Sequence, residues 1–120
     1  KKILLVDDDM RNVFAISTLL QNEKILVEVA SNGLEALEIL SRYTPDLILM
    51  DIMMPEMDGN TATRKIREIE KFKRTPIIAI SAKAMKEDKE NILNSGANDF
   101  IAKPIDTKQL ISLIRIWIQK

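Results

Sequence analysis

Apolar residues in this chain form two kinds of pattern: short continuous runs, and longer segments with a helical period. The continuous runs, rich in β-branched residues, are Ile3–Val6, Ile25–Ala30, Leu47–Met50, Ile77–Ile80 and Phe100–Ala102. Runs of this length between turn residues are typical of strands, and continuous apolar runs are typical of strands covered on both faces. The pattern therefore predicts five strands.

Between these runs, apolar residues recur at intervals of three and four, which is the period of an amphipathic helix. The expected core-facing sets are Val13, Phe14, Ser17 and Leu20; Leu34, Leu37, Leu40 and Ser41; Ala62, Ile66 and Ile69; and Leu110, Ile114, Trp117 and Ile118. Turn residues separate the pieces at Asn32-Gly33, Pro45, Asp58-Gly59, Pro76 and Gly96. Strands alternating with helices predict parallel βαβ units with right-handed crossovers.

Strand character also predicts the order of the sheet. The first, third and fourth runs are almost wholly apolar, whereas the second carries Glu28 and the fifth is short, so these two suit edges. We therefore predict an α/β fold, a flavodoxin-like doubly wound five-stranded parallel sheet of order 2-1-3-4-5 with five helices. Residues 1–120 form a single domain of ordinary size. Because the chain begins with Lys1 rather than Met, one expectation is a segment of a longer protein.

Polar residues stand where four of the predicted strands end. Asp7 and Asp8 follow the first strand, Asp51 ends the third, Ser81 ends the fourth and Lys103 follows the fifth. In doubly wound sheets, ligands bind beyond the carboxyl ends of the strands, where the strand order reverses. Carboxylates crowded there resist ionisation unless a cation joins them. The pattern predicts a site for a hard metal ion and phosphoryl chemistry.

Mg²⁺ prefers octahedral oxygen ligands, with one or two carboxylates plus waters and phosphate oxygens. Asp8 and Asp51, with a backbone carbonyl such as that of Met53, suit this preference, and Asp7 could act through a water. Simpler interpretations stay open: Asp9 as a helix N-cap, and Asp51 as a buried partner of Lys103. A cis bond between Lys103 and Pro104 would be one way to aim the ammonium at the acids.

Composition excludes several classes of site. Without Cys or His, the chain cannot form disulfides, thiol nucleophiles, imidazole metal sites or a Ser-His-Asp triad. The 18 basic residues balance 18 acidic ones, so no global field attracts nucleic acid or anionic membrane, and direct binding to nucleic acid is not expected. No apolar stretch has the length of a membrane span, and no signal peptide is recognisable. We expect a cytoplasmic location, which includes the cytoplasmic part of a membrane-anchored kinase.

Four motifs together resemble the receiver domain of two-component response regulators. They are VDDD (Val6–Asp9), DLILMDIMMPEMDG (Asp46–Gly59), IIAISA (Ile77–Ala82) and AKPI (Ala102–Ile105). The resemblance spans essentially all 120 residues, in the right order and spacing. The opening VDDDMRNVFAI (Val6–Ile16) is most similar to receivers attached to hybrid sensor histidine kinases.

The resemblance implies a role for each candidate residue: Asp51 as phosphoacceptor, Asp8 as direct Mg²⁺ carboxylate, Asp7 as second acid, Met53 as carbonyl ligand, Ser81 as switch hydroxyl, Lys103 as phosphate-contacting cation and Phe100 as aromatic switch. Since the chain lacks His, a phosphohistidine donor must belong to a histidine kinase or histidine phosphotransfer domain. We expect a signalling domain that catalyses its own phosphorylation and dephosphorylation without being a turnover enzyme alone. The parent protein could itself be a histidine kinase.

Three rival functions fit the residues less well. A haloacid-dehalogenase-like phosphatase also uses an Asp nucleophile, but its DxDxT pattern does not fit Asp9-Met10-Arg11. A binding module that keeps only the fold would not need Asp8, Asp51, Ser81 and Lys103. A nucleotide-binding flavodoxin relative is disfavoured, because no Gly-rich or hydroxyl-rich loop follows the first strand.

Surface residues suggest the regulatory behaviour. Neither Met53 nor Lys83 can orient an attacking water, so we expect a long-lived phosphorylated state.

The segment 83–94 has few apolar anchors and suits a moving helix, although a plain solvated face explains it equally well. One candidate face for a homodimer, a partner or an intramolecular kinase contact contains Ile116, beside Phe100 and the fourth helix. The first helix is a second candidate face. Phe100 fits ordinary edge packing equally well. Tyr is frequent at this position in the family, and Phe100 lacks its hydroxyl, which counts against the aromatic-switch role.

Overall fold

The computed structural model describes residues 1–119 and shows strands and helices in strict alternation. The elements are β1 (Lys2–Val6), α1 (Met10–Asn22), β2 (Leu26–Ala30), α2 (Gly33–Leu40), β3 (Leu47–Asp51), α3 (Gly59–Arg67), a 3₁₀ turn (Glu70–Phe72), β4 (Ile77–Ser81), α4 (Lys86–Asn94), β5 (Asp99–Ala102) and α5 (Thr107–Ile118). Among these residues, no helix has the length and apolar character needed to cross a membrane.

The five strands form one parallel sheet in the order β2-β1-β3-β4-β5, as predicted. All five residues of β3 and of β4 are buried, whereas β2 at one edge is mostly half-buried and begins with an exposed Leu26. The burial of each strand thus follows its apolar content, because a central strand is covered by helices on both of its faces.

Alternate residues of each strand supply two separate cores. Leu4 and Ile48 point to the side covered by α2, α3 and α4, whereas Ile3 and Leu47 point to the side of α1 and α5. This alternation follows from the two-residue period of a strand. The two cores hold β1 and β3 rigidly side by side, which fixes the positions of the residues at their carboxyl ends.

Some predicted helix faces were wrong in phase. Phe14 is 75% exposed, whereas Val13 and Leu20 of the predicted set are buried, together with Ile16. Leu34 in α2 is 52% exposed, whereas Leu40 of the predicted set is buried, together with Ala36 and Ile39. Spacing alone allows several stripes on an apolar-rich helix, and the neighbouring elements decide which stripe is buried.

The third helix ends earlier than its apolar period suggested. Ile69 lies beyond α3 and is 38% exposed, so helical spacing no longer determines its direction. Leu110 and Ile114 of α5 are buried as predicted, and Ile116 is 54% exposed, off the core stripe.

Acidic and amide side chains begin four of the helices. Asp9, Asn32, Asp58 and Asp106 each accept a backbone N–H from the first turn of α1, α2, α3 and α5 respectively. For Asp9 this confirms the capping interpretation, with its Oδ1 2.9 Å from the Arg11 amide nitrogen. Asp58-Gly59 is therefore the start of a helix as well as a turn.

Candidate functional site

The predicted polar residues meet at the carboxyl edge of the sheet. Asp51 ends β3 and Ser81 ends β4, while Asp7 follows β1 and Lys103 follows β5. Parallel register aligns these ends, because Val6 pairs with Met50 and Ser81 pairs with Ala102. Four chain segments that are far apart in sequence thus contribute to one pocket.

Three carboxylates form the centre of this pocket. Asp7, Asp8 and Asp51 each offer an oxygen, and these three oxygens lie within 4.8 Å of one another. Asp7 and Asp51 are each only 1% exposed, whereas Asp8 is exposed. Like charges this close repel, and burial removes the water that would screen them.

Asp7 carries the clearest sign of a missing partner. Its Oδ1 accepts the amide of Asp9 at 2.9 Å, but its buried Oδ2 has no hydrogen-bond partner within residues 1–119. A buried carboxylate oxygen without a donor is costly, and a cation satisfies it directly. The oxygen-only donor set and the acid cluster therefore fit Mg²⁺.

The surroundings of Asp51 disfavour the charged form of its carboxyl group. Burial, followed by the neighbouring charge of Asp7, raises the pKa of Asp51, and Lys103 opposes both, so that the pKa is about 6. The Lys103 Nζ lies 3.3 Å from Asp51 Oδ1, in an ion pair whose acid partner is buried. One ammonium does not offset the burial and the neighbouring acid. A structural salt bridge with Lys103 therefore does not by itself account for the position of Asp51.

Ser81 and Met53 lie at the rim of the same pocket. Ser81 is buried, and its Oγ accepts the amide of Lys83 at 3.0 Å, which leaves its hydroxyl hydrogen available. The Met53 amide lies 3.4 Å from Asp51 Oδ1, and its side chain is 52% exposed. The Lys103–Pro104 peptide bond is cis.

Phe100 stands apart from the acid cluster. It lies on β5, packs half-buried against the core under α2, α3 and α4, and has Lys89 Nζ 5.2 Å from its ring centroid. The cation–π contact joins β5 to α4, so Phe100 belongs to a neighbouring face and not to the pocket itself.

Sequence reasoning missed the contribution of Gly59. A Cβ at this position would collide with the Asp51 carbonyl oxygen and would lie 2.7 Å from Ile52 Cα. The Gly59 amide instead donates to Ile52 O at 2.9 Å. Glycine is required here because α3 begins against the end of β3, and the Asp58-Gly59 dipeptide was the available signal.

A cleft of about 470 Å³ opens beside Ser81, between α3 and α4. Asn60 and Asp88 contribute polar walls, and Ile92 contributes part of the floor. Its shape depends on how two helices sit on the sheet, so no local sequence pattern marks it.

Comparisons with known proteins find relatives over most of the chain. An uncharacterised 14.6 kDa protein of Leptolyngbya boryana is 42% identical over 113 residues, covering 94% of this chain and 86% of that protein. Hybrid signal transduction histidine kinase B of Dictyostelium discoideum is also 42% identical, over 92% of this chain, which spans only 6% of the kinase's length.

A solved structure is similar over the whole chain. The receiver domain of a sensor histidine kinase from Pseudomonas aeruginosa PAO1, crystallised with a magnesium ion coordinated in its active site cleft, is 38% identical with a TM-score of 0.93. The alignment covers 100% of this chain and 98% of that one. The family profile for the response regulator receiver domain matches residues 3–115. This chain therefore belongs to the response regulator receiver domains of two-component signalling.

Proposed function

We propose that this domain accepts a phosphoryl group from a partner's phosphohistidine onto Asp51, with Mg²⁺ bound, and changes conformation to signal. The observation that carries the proposal is the buried Asp51, paired with Lys103 and crowded by two other carboxylates. A carboxylate becomes a useful phosphoryl acceptor where charge on the phosphoryl group is neutralised. The relatives in histidine kinases support a donor of that class.

The chain's own residues perform most of the positioning. Asp8, Asp51 and the Met53 carbonyl would hold Mg²⁺, with Asp7 acting through a water. When bound, the ion neutralises negative charge on the phosphoryl oxygens. Lys103 supplies a second positive charge from the β5 side of the pocket, where its Nζ already contacts Asp51 Oδ1.

The transfer exchanges one bond to phosphorus for another. An Asp51 oxygen attacks phosphorus, the phosphorus–nitrogen bond to the donor histidine breaks, and its electron pair remains on the imidazole. Water later cleaves the acyl phosphate and restores the carboxylate. The donor imidazole comes from a histidine kinase or a histidine phosphotransfer domain, because this chain has no His.

The output is a shift in the β4–α4 region. Phosphorylation places about −1.5 to −2 charge at the end of β3. The Ser81 hydroxyl would donate to a phosphoryl oxygen, and Phe100 would turn towards the space that Ser81 leaves. Of the α4 residues only Ile92 is buried, and Met85 before the helix is 75% exposed, so the helix is held lightly enough to move. We place this signalling in the cytoplasm, where histidine kinases use ATP.

Labelling with acetyl phosphate tests the assignment. Asp51→Asn is expected to abolish Mg²⁺-dependent incorporation, because the accepting oxygen is removed. Asp106→Asn makes the same chemical change at the N-cap of α5 and should label like the unaltered protein. Intact mass spectrometry reads both, and undiminished labelling of Asp51→Asn would refute the proposal.

A further inference from the structure

The segment 64–74 concentrates positive charge in a chain whose net charge is zero. It contains six basic residues and two acidic ones, which leaves 12 basic and 16 acidic residues in the rest of the chain. We call it the basic segment. It includes the last turn of α3, the 3₁₀ turn and the approach to β4.

Five of its six cations are exposed to solvent. They are Arg64, Lys65, Lys71, Lys73 and Arg74. In the described part of the chain, Lys73 is the only one of these in an ion pair, at 3.7 Å from Glu70, and both partners are largely exposed. Exposed pairs contribute little, so most of the positive charge stays available to a partner.

The sixth cation, Arg67, holds the basic segment in one shape. Its Nη1 donates to the carbonyls of Phe72 and Thr75, each at 2.7 Å, and its Nε donates to Gly96 O at 2.9 Å. Its Nη2 donates to Asn98 Oδ1 at 2.7 Å. Because the backbone is already ordered, a partner would lose little free energy in fixing it.

We propose that the basic segment docks an acidic protein segment that also carries apolar residues. Charge complementarity favours an acidic partner. Ile69 is 38% exposed among the cations and offers an apolar contact. Phe72, the aromatic of the segment, is 1% exposed and cannot stack on a base. The surface therefore fits a peptide better than a nucleic acid.

The docking surface lies at the far end of α3 from the phosphoacceptor pocket. Nine helical residues separate the Gly59 end from the Arg67 end, which is roughly 13 Å of helix. A segment bound there leaves Asp51 accessible. The basic segment would therefore bind a partner whether or not Asp51 is phosphorylated, and the inference does not depend on phosphorylation of this chain.

Charge reversal tests the surface directly. The probe is a fluorescein-labelled peptide of four Glu-Glu-Leu repeats, titrated with the whole domain by fluorescence anisotropy at low and high salt. The test variant is Lys71→Glu with Arg74→Glu. The matched control, Lys86→Glu with Lys108→Glu, makes the same change in net charge at exposed positions outside the segment. Circular dichroism confirms that each variant is folded.

We expect the affinity for the peptide to fall at least tenfold in the test variant and less than twofold in the control. High salt should weaken binding by the unaltered protein. Equal losses in the two variants, or no binding at low salt, would overturn the proposal. So would tighter binding of a twelve-residue oligothymidylate or of phosphatidylserine vesicles than of the peptide.

Discussion

At the scale of single residues, Asp51 combines a free-energy cost of burial with the phosphoacceptor role proposed for it. Its pKa rises from 3.8 to about 6, chiefly through burial. The folded state therefore binds a proton more tightly than the unfolded state does. The resulting stability is present below about pH 4 and is lost as pH rises through about 6, by roughly 3 kcal/mol at most.

We predict that Asp51→Asn stabilises the metal-free protein at pH 7.5 by about 1–3 kcal/mol, since it removes one of the crowded charges. Urea unfolding measures the change. The gain should shrink at pH 4.5, where folded Asp51 is already protonated, and on addition of Mg²⁺, which relieves the repulsion. A variant less stable than the unaltered protein at pH 7.5 would contradict this explanation.

Met53 is expected to set the lifetime of the phosphorylated state. Its thioether cannot orient a water towards an acyl phosphate, whereas an amide can, so Met53→Asn should speed loss of phosphate roughly threefold to tenfold. Met53→Leu keeps the site apolar and serves as the control, with an unchanged rate. Phosphate release from the labelled protein measures both, and equal rates in all three proteins would count against the idea.

At the scale of elements, the entry of α3 is limited by backbone contact with the end of β3. Gly59→Ala is expected to cost about 1–3 kcal/mol and to slow phosphorylation, because a methyl group there meets the backbone of Asp51 and Ile52. In Gly33→Ala the nearest atoms, at 2.9 Å, belong to the flexible Met57 side chain. That variant should lose less stability and keep its labelling rate, and a reversed order would be inconsistent with the geometry.

Sequence pattern predicted every strand and the order of the sheet, since strand burial depends on local apolar content. Helix faces were less predictable. Phe14 and Leu34 satisfied the helical period, yet both are exposed. An apolar-rich helix offers more than one stripe, and only the position of the sheet beneath it decides between them.

At the scale of the whole molecule, Arg67 ties together the end of α3, the 3₁₀ turn and the loop before β5. Its hydrogen-bond partners are carbonyl and amide oxygens. Burial lowers the pKa of its guanidinium, and no acid within residues 1–119 forms an ion pair with it. The residue thus links segments that lie about thirty positions apart in sequence.

Removing this link should be among the more harmful single changes outside the core. Arg67→Ala is expected to lower the free energy of unfolding by about 2–4 kcal/mol, because it leaves several carbonyls without donors. Lysine at 67 should restore less than half of that, since it lacks the guanidinium fork. Arg64→Ala, at an exposed neighbour, should change stability by less than about 0.5 kcal/mol. Urea unfolding compares the three, and equal effects at 64 and 67 would rule out the link.

The amino-acid sequence alone determined the fold class, the strand order and the family, because these depend on local apolar runs and on motifs read along the chain. It also named Asp7, Asp8, Asp51, Ser81 and Lys103 as the polar strand ends. Tertiary structure decided that the Asp7 Oδ2 lacks a hydrogen-bond partner in the described part of the chain, that Gly59 touches β3 and that Arg67 orders the basic segment. These features depend on distances between remote segments, which only packing of helices on both faces of the sheet establishes.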